Sequence, residues 1–275
     1  MRTRCLVILG VLLVVLSGCG FSRAQPGGSA QGSTSHTLGN RTYLLYVPAG
    51  LASPAPLVVM LHGGFGSAQQ AERAYGWDQL ADSAKFIVAY PDGLGRAWNT
   101  GGGCCGRSAK DGVDDVGFIT AAVADVGKNV AVDPSRIYAT GISNGGMMSY
   151  ALACNTGLFA AIGPDSATQL ACPSPHPTSV LHIHGTADRM IPYDGSQGIG
   201  FAHIDGPPVP DTNAFWRDVD QCGTPTVTTD GAVTTSTAAC ADGRAVELMT
   251  VAGGGHEWPG FATSTMWQFF AAHPH

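Results

Sequence analysis

Charge is scarce in this chain. Charged residues make up 12% of its 275 residues and the net charge is −6, with no basic cluster. So little Lys and Arg does not suit a polyanionic partner, which argues against nucleic-acid binding. No C-x-x-C pair occurs and the histidines stand away from the cysteines, so neither a zinc site nor any other metal centre is expected. No apolar run reaches the roughly twenty residues that span a bilayer. No internal repeat is found, which removes solenoids and propellers.

What the sequence does have begins at its first residues. Arg2 and Arg4 precede an apolar stretch from Cys5 to Leu16, the length and polarity of a signal peptide over residues 1–18. Leu16-Ser17-Gly18-Cys19 resembles a bacterial lipoprotein processing site, which implies cleavage before Cys19 and a lipid on its sulfur. The alternative is an ordinary secretory peptide cut near Ala24. Both place the protein outside the cytoplasm, either lipid-anchored to the outer face of the cell membrane or secreted. Residues 19–35 read as the lipidated cysteine and a flexible Gly/Ser tether, and 36–275 as one catalytic-sized domain. The membrane contact expected is the lipid anchor alone.

Six cysteines remain: Cys104, Cys105, Cys154, Cys172, Cys222 and Cys240. An even number in an oxidising compartment suggests disulfides, although six cysteines allow fifteen pairings. Cys154 with Cys172 and Cys222 with Cys240 would each close a local loop. Cys104 and Cys105 would then pair with each other, or cross-pair and spoil that scheme.

Along the domain, short apolar runs alternate with helical periodicity. Strands are expected at 41–48, 56–63, 86–93, 135–141, 159–165, 179–185 and 245–253, and helices near 68–83, 114–130, 144–154, 213–221 and 262–272. Asp114 or Asp115 would cap the second helix. Such alternation implies an α/β fold: a mainly parallel sheet with helices on both faces and ligands gathered at the carboxyl ends of the strands. The stretch 193–212 exceeds an ordinary connection and reads as a substrate-binding loop.

Four chemically suggestive groups fall at those strand ends. Ser143 sits in "GISNG", a G-x-S-x-G turn that would hold its hydroxyl clear of the sheet. A hydroxyl becomes a useful nucleophile only beside a base, and the base needs a carboxylate to fix its tautomer. His256, in "GGGHEWPG", is the expected base and Asp188, in "HGTADRMIPY", the expected carboxylate, with Asp165 the main rival and Asp194 a weaker one. Backbone N–H groups of Gly64 and Asn144 would form the oxyanion hole. His62 reads as a structural residue beneath its loop. His182 and His184, two apart on one strand, read as core histidines, with a metal pair the competing idea. Trp98 and Trp258 flank the expected pocket as substrate-stacking candidates. Residues 101–106, "GGGCCG", satisfy G-x-G-x-x-G without its strand and helix context, so no dinucleotide cofactor is expected, nor any other.

Seven ordered segments then carry a resemblance: "LHGGFGSA", "YPDG", "WNTGGGCC", "DDVGFI", "GISNGGMMSY", "HGTADRMIPY" and "GGGHEWPG". Together, across about residues 36–275, they resemble the extracellular esterase family that includes poly(3-hydroxybutyrate) depolymerases and feruloyl esterases. The resemblance implies an α/β-hydrolase fold, no cofactor and a triad on Ser143, Asp188 and His256. Many relatives have cysteine where Gly64 stands; the backbone donor survives that change, but the acyl pocket's shape does not carry over. The expected activity is hydrolysis of carboxylic esters, of hydroxyalkanoate oligomers or of feruloyl or acetyl groups on a polysaccharide. The alternatives are an acyltransferase using the same triad and a surface binding protein without turnover.

Overall fold

A computed structural model describes residues 32–200 and 204–275. The signal peptide, Cys19 and nearly all of the expected tether lie outside the described residues. The strands are β1 (Thr34–Leu38), β2 (Arg41–Tyr46), β3 (Ala55–Leu61), β4 (Ile87–Pro91), β5 (Val132–Ile142), β6 (Ala161–Asp165), β7 (Ser179–Gly185), β8 (Thr226–Asp230), β9 (Val233–Ala239) and β10 (Ala245–Val251). The helices are α1 (Ala68–Ala74), α2 (Trp77–Ala84), α3 (Gly106–Lys110), α4 (Asp115–Asn129), α5 (Asn144–Asn155), α6 (Val209–Val219) and α7 (Ala262–Ala272). They form one ten-stranded sheet in the order β1-β2-β4-β3-β5-β6-β7-β10-β9-β8. Its centre, from β4 to β10, is parallel, and antiparallel pairs close both edges.

β3 shows why the central strands read as unbroken apolar runs. Leu57, Val59 and Leu61 enter one core with α4 and α5, while Val58 and Met60 enter the other with α1, α2 and α7. Period-two alternation here divides apolar residues between two buried faces, so no polar alternation survives.

Several boundaries differ from the sequence reading. β1 begins at Thr34, and Thr34 and Ser35 pair with Leu45 and Leu44, so the tether cannot extend to residue 35. The expected helix at 68–83 is two helices, parted at Gly76 in the left-handed region (φ 70°). α6 starts at Val209, which shortens the long connection after β7. β8 and β9 were not expected: threonine fills them, and the β8 residues are all exposed, so neither carries an apolar pattern.

Among the described residues the disulfides are Cys104–Cys105, Cys154–Cys172 and Cys222–Cys240. Among the described residues no helix is long and apolar enough to cross a membrane.

The "DDVGFI" segment divides its two acids between different tasks. Asp114 caps α4 by accepting from the Gly117 N–H at 2.7 Å. Asp115 is buried and meets Arg41 Nη2 at 2.7 Å, and its other oxygen accepts from Asn99 N–H at 2.8 Å and Ser108 Oγ at 2.9 Å. Arg41 also lies over the Phe118 ring, 4.0 Å from its centroid. Removing the cation strands a buried carboxylate. Arg41→Ala should cost about 3–5 kcal/mol in urea denaturation, and adding Asp115→Asn should recover part of that loss.

Candidate active site

The nucleophile candidate sits where β5 turns into α5. Ser143 has φ 57° and ψ −125°, a strained backbone for a residue with a Cβ. Two bonds hold it there: its N–H donates to the Asp165 carbonyl at 2.9 Å, and its carbonyl accepts from Met147 N–H at 2.8 Å. The flanking glycines are required by crowding. A Cβ on Gly141 would stand 2.6 Å from the Leu61 carbonyl oxygen, and one on Gly145 would stand 2.6 Å from that of His62. Side chains at either position would push α5 off β3.

Ser143, Asn144, Gly64 and His256 line one cavity of about 390 Å³. Asn144 opens α5, so its N–H is among those a helix leaves without an internal acceptor. Gly64 stands across from it, on the loop after β3. Phe65, Ala97, Met190, Ile191 and Ile204 give the cavity an apolar lining.

The loop at Gly64 is fastened from below by His62, which is fully buried. Its Nε2 accepts from Gly93 N–H at 2.9 Å, which leaves Nδ1 to donate to the Gly63 carbonyl at 2.8 Å. Burial lowers its pKa, so this neutral form is the one held. Phe65 N–H reaches the Arg96 carbonyl at 2.8 Å, tying the loop to the opposite cavity wall.

Trp98 belongs to this fastening and is not placed to stack on substrate. It is fully buried, and its indole N–H donates to the His62 carbonyl at 2.8 Å. The Asn144 side chain clasps its backbone, accepting from Trp98 N–H at 2.7 Å and donating to the Trp98 carbonyl at 3.1 Å. Trp258 is also placed elsewhere. Its indole N–H donates to Thr263 Oγ1 at 3.0 Å, its ring lies 4.9 Å from that of Tyr75, and it is not among the cavity-lining residues. The sequence pattern assigns Asn144 a backbone role only. The side-chain clasp was out of reach because its partner lies 46 residues away and is a backbone, with no residue-type signal.

His256 Nδ1 lies 2.8 Å from Asp188 Oδ2. The other carboxylate oxygen accepts from Met190 N–H at 2.8 Å and Ile191 N–H at 2.9 Å. Burial works against the charge on Asp188, but hydrogen bonds from His184 and His256 outweigh it and hold the carboxyl well below the usual range. An ionised Asp188 requires the proton on His256 Nδ1, leaving Nε2 free to accept. Ser143 and His256 share the cavity, and among the described residues no hydrogen bond joins them; such contacts often close only around substrate.

The two rival carboxylates fall away on geometry. Asp194 accepts from Ser196 N–H at 3.0 Å and Oγ at 2.7 Å in an exposed turn. Asp165 is fully buried, neither carboxylate oxygen has a well-formed hydrogen bond, and the neighbouring Ser166 side chain only partly offsets that burial. Burial raises its pKa well above the usual value, with the charges of Asp188 and Glu257 adding to the effect. The folded state therefore holds this proton more tightly than the unfolded chain does. Its contribution is complete below the unfolded value of about 3.9 and is lost as pH rises toward the raised folded value. Urea denaturation of Asp165→Asn beside the parent should show a stability difference that grows in the variant's favour from about pH 4 to pH 8.

Residues 41–179 match the esterase PHB depolymerase family. The putative esterase NocK of Nocardia uniformis subsp. tsuyamanensis is 33% identical over 253 residues, covering 80% of this chain and 71% of that one. Feruloyl esterase B of Piromyces equi is 32% identical over 237 residues, covering 78% of this chain but only 42% of its own length. Among solved structures, the acetyl xylan esterase from Aspergillus awamori superposes with a TM-score of 0.68 at 18% identity, covering 89% of this chain and all of that one. An S-formylglutathione hydrolase from Agrobacterium tumefaciens gives 0.57 at 13% identity, covering 91% and 99%. These neighbours place the sheet and its helices in the α/β-hydrolase fold. The chain is thus a member of the esterase PHB depolymerase family, whose chemistry is the hydrolysis of carboxylic esters.

Proposed function

We propose that this protein is a serine esterase in which Ser143, His256 and Asp188 act as a triad. The observation that carries the reading is the His256–Asp188 hydrogen bond at 2.8 Å, formed on the cavity that Ser143 also lines. Ser143 Oγ attacks the ester carbonyl while His256 Nε2 takes its proton. The Gly64 and Asn144 N–H groups hold the oxyanion of the tetrahedral intermediate. His256 then gives the proton to the leaving alcohol, and water releases the acid by the same route. Asp188 holds the imidazole in the required tautomer and stabilises its charged form.

The cavity suits an acyl group of modest size. Its volume of about 390 Å³ is near the lower end for small-molecule sites, and its lining is mostly apolar. Short hydroxyalkanoate esters and feruloyl or acetyl esters on a polysaccharide are the proposed substrates, in keeping with the activities named for the relatives. The proposed location is outside the cytoplasm, held by a lipid on Cys19. Three disulfides support an oxidising compartment.

A fluorophosphonate probe should label the parent protein and fail to label Ser143→Ala. That variant should keep its circular dichroism spectrum and lose about 10⁴-fold or more in kcat on p-nitrophenyl acetate. Ester cleavage surviving in a folded Ser143→Ala would overturn the assignment. Comparing p-nitrophenyl esters of increasing chain length with methyl ferulate and hydroxybutyrate oligomers should show a preference for short or flat acyl groups.

A further inference from the structure

β7 carries two histidines two residues apart, and strand alternation puts His182 and His184 on one face. Both are fully buried, and neither belongs to the proposed triad. The Tyr150 hydroxyl, on α5, lies 2.9 Å from His182 Nδ1. His182 Nε2 lies 3.0 Å from His184 Nδ1. His184 Nε2 lies 2.8 Å from the Ile191 carbonyl oxygen and 3.4 Å from Asp188 Oδ2. Every ring nitrogen of the pair is engaged, and the Ala167 carbonyl is a further hydrogen-bond partner of His182.

The geometry orders the protons on this chain once each histidine holds one. The Ile191 carbonyl and the ionised Asp188 only accept, so His184 must carry its proton on Nε2. If Nε2 carries the single proton of His184, its Nδ1 accepts, which requires the proton of His182 on Nε2. His182 Nδ1 accepts in turn, and the Tyr150 hydroxyl must donate to it. The chain runs one way, from Tyr150 through both histidines to Asp188. Burial, reinforced by the neighbouring His184, lowers the His182 pKa well below its ordinary value, and burial raises that of Tyr150, so both stay neutral. The other titratable groups facing the chain are Tyr193, whose ring centroid is 5.9 Å from that of His184, and beyond the carboxylate His256 and Asp165, whose pKa burial raises.

We propose that His184 is a positioning residue for the His256–Asp188 pair. Locked by His182 and Tyr150, it supplies a fixed N–H beside the same carboxylate oxygen that receives His256. It also pins Ile191, whose own N–H holds the other oxygen of Asp188. The carboxylate thereby keeps its orientation while His256 changes charge. Tyr150 stands on α5, the helix that Ser143 opens, so the chain links that helix to the loop of Asp188 along one face of the sheet. The proposal rests on the reading of His256 and Asp188 as base and orienting acid.

Long-range proton–nitrogen NMR on the histidine-labelled parent protein should find His182 and His184 as neutral Nε2–H tautomers throughout the range in which the protein is active. A Nδ1–H tautomer on either, or titration of either in that range, overturns the proposal. Kinetics give an independent readout. His184→Phe removes the donor and leaves more of the Asp188 charge on His256, which favours imidazolium. The acid limb of kcat/KM should move up by roughly half a pH unit or more, with kcat about tenfold lower. His184→Gln, which can keep an N–H near the same place, should return the limb toward the parent value. A folded His184→Phe with the parent's pH profile overturns the proposal, and should that variant fail to fold, the tautomers in the parent protein decide. Failure of fluorophosphonate labelling would instead strike the triad itself and leave the tautomer result standing.

Discussion

The close approach of α5 to β3 is the constraint from which the site follows. Gly141 and Gly145 allow the start of the helix to lie against the Leu61 and His62 carbonyls, and a Cβ at either position would collide with backbone. That approach sets Ser143 at its strained turn and puts the helix's first free N–H groups beside the loop carrying Gly64. The proposed nucleophile and the two proposed oxyanion donors therefore come from a single packing event. The strain of about 1–3 kcal/mol at such a residue is borne by the bonds to Asp165 and Met147 and by the sheet on both sides.

Two buried acids at the same edge of the sheet meet opposite fates. Asp188 has an imidazole and two backbone N–H groups within 2.9 Å, so it stays ionised despite burial. Asp165 offers its backbone carbonyl to Ser143, yet its carboxylate has only the Ser166 side chain beside it, so burial raises its pKa well above the usual value. A negative charge there would oppose the Asp188 carboxylate and the oxyanion alike. Which acid faces the imidazole is decided by the loop after β7, where Met190 and Ile191 turn their N–H groups inward.

Much of this was legible in the residues. Continuous apolar runs and the periodicity of α4, α5 and α7 gave the parallel centre of the sheet, because burial on two faces leaves a strong pattern. The edge strands β8 and β9 left none, since an exposed threonine-rich hairpin buries little and alternates nothing apolar. Ser143, Asp188 and His256 could be picked out as strand-end residues with the right chemistry, and the structure brings them to one edge. Trp98 and Trp258 misled because tryptophan near a glycine-rich loop looks the same whether it faces a ligand or supports the loop. The separating fact is the destination of the indole N–H, a carbonyl in one case and a threonine in the other, and no local pattern encodes it.

The same distinction explains why so many polar and glycine-rich segments surround so small a cavity. Asn99, following Trp98, gives its N–H to Asp115, and Ser108, following the Cys104–Cys105 pair, gives its hydroxyl to the same oxygen. The wall residues Ala97, Cys105 and Gly106 lie along this stretch. One buried carboxylate, neutralised by Arg41, thus anchors a loop that carries little regular structure of its own. On the opposite side, His62 and the Asn144 side chain fasten the same loop to the base of the nucleophile turn. Bonds that hold the wall at both ends keep Ala97, Cys105 and Gly106 in place between Arg96 and Arg107, which also line the cavity. The polar groups of these segments thus serve chiefly to keep the shape of the cavity around Ser143 fixed.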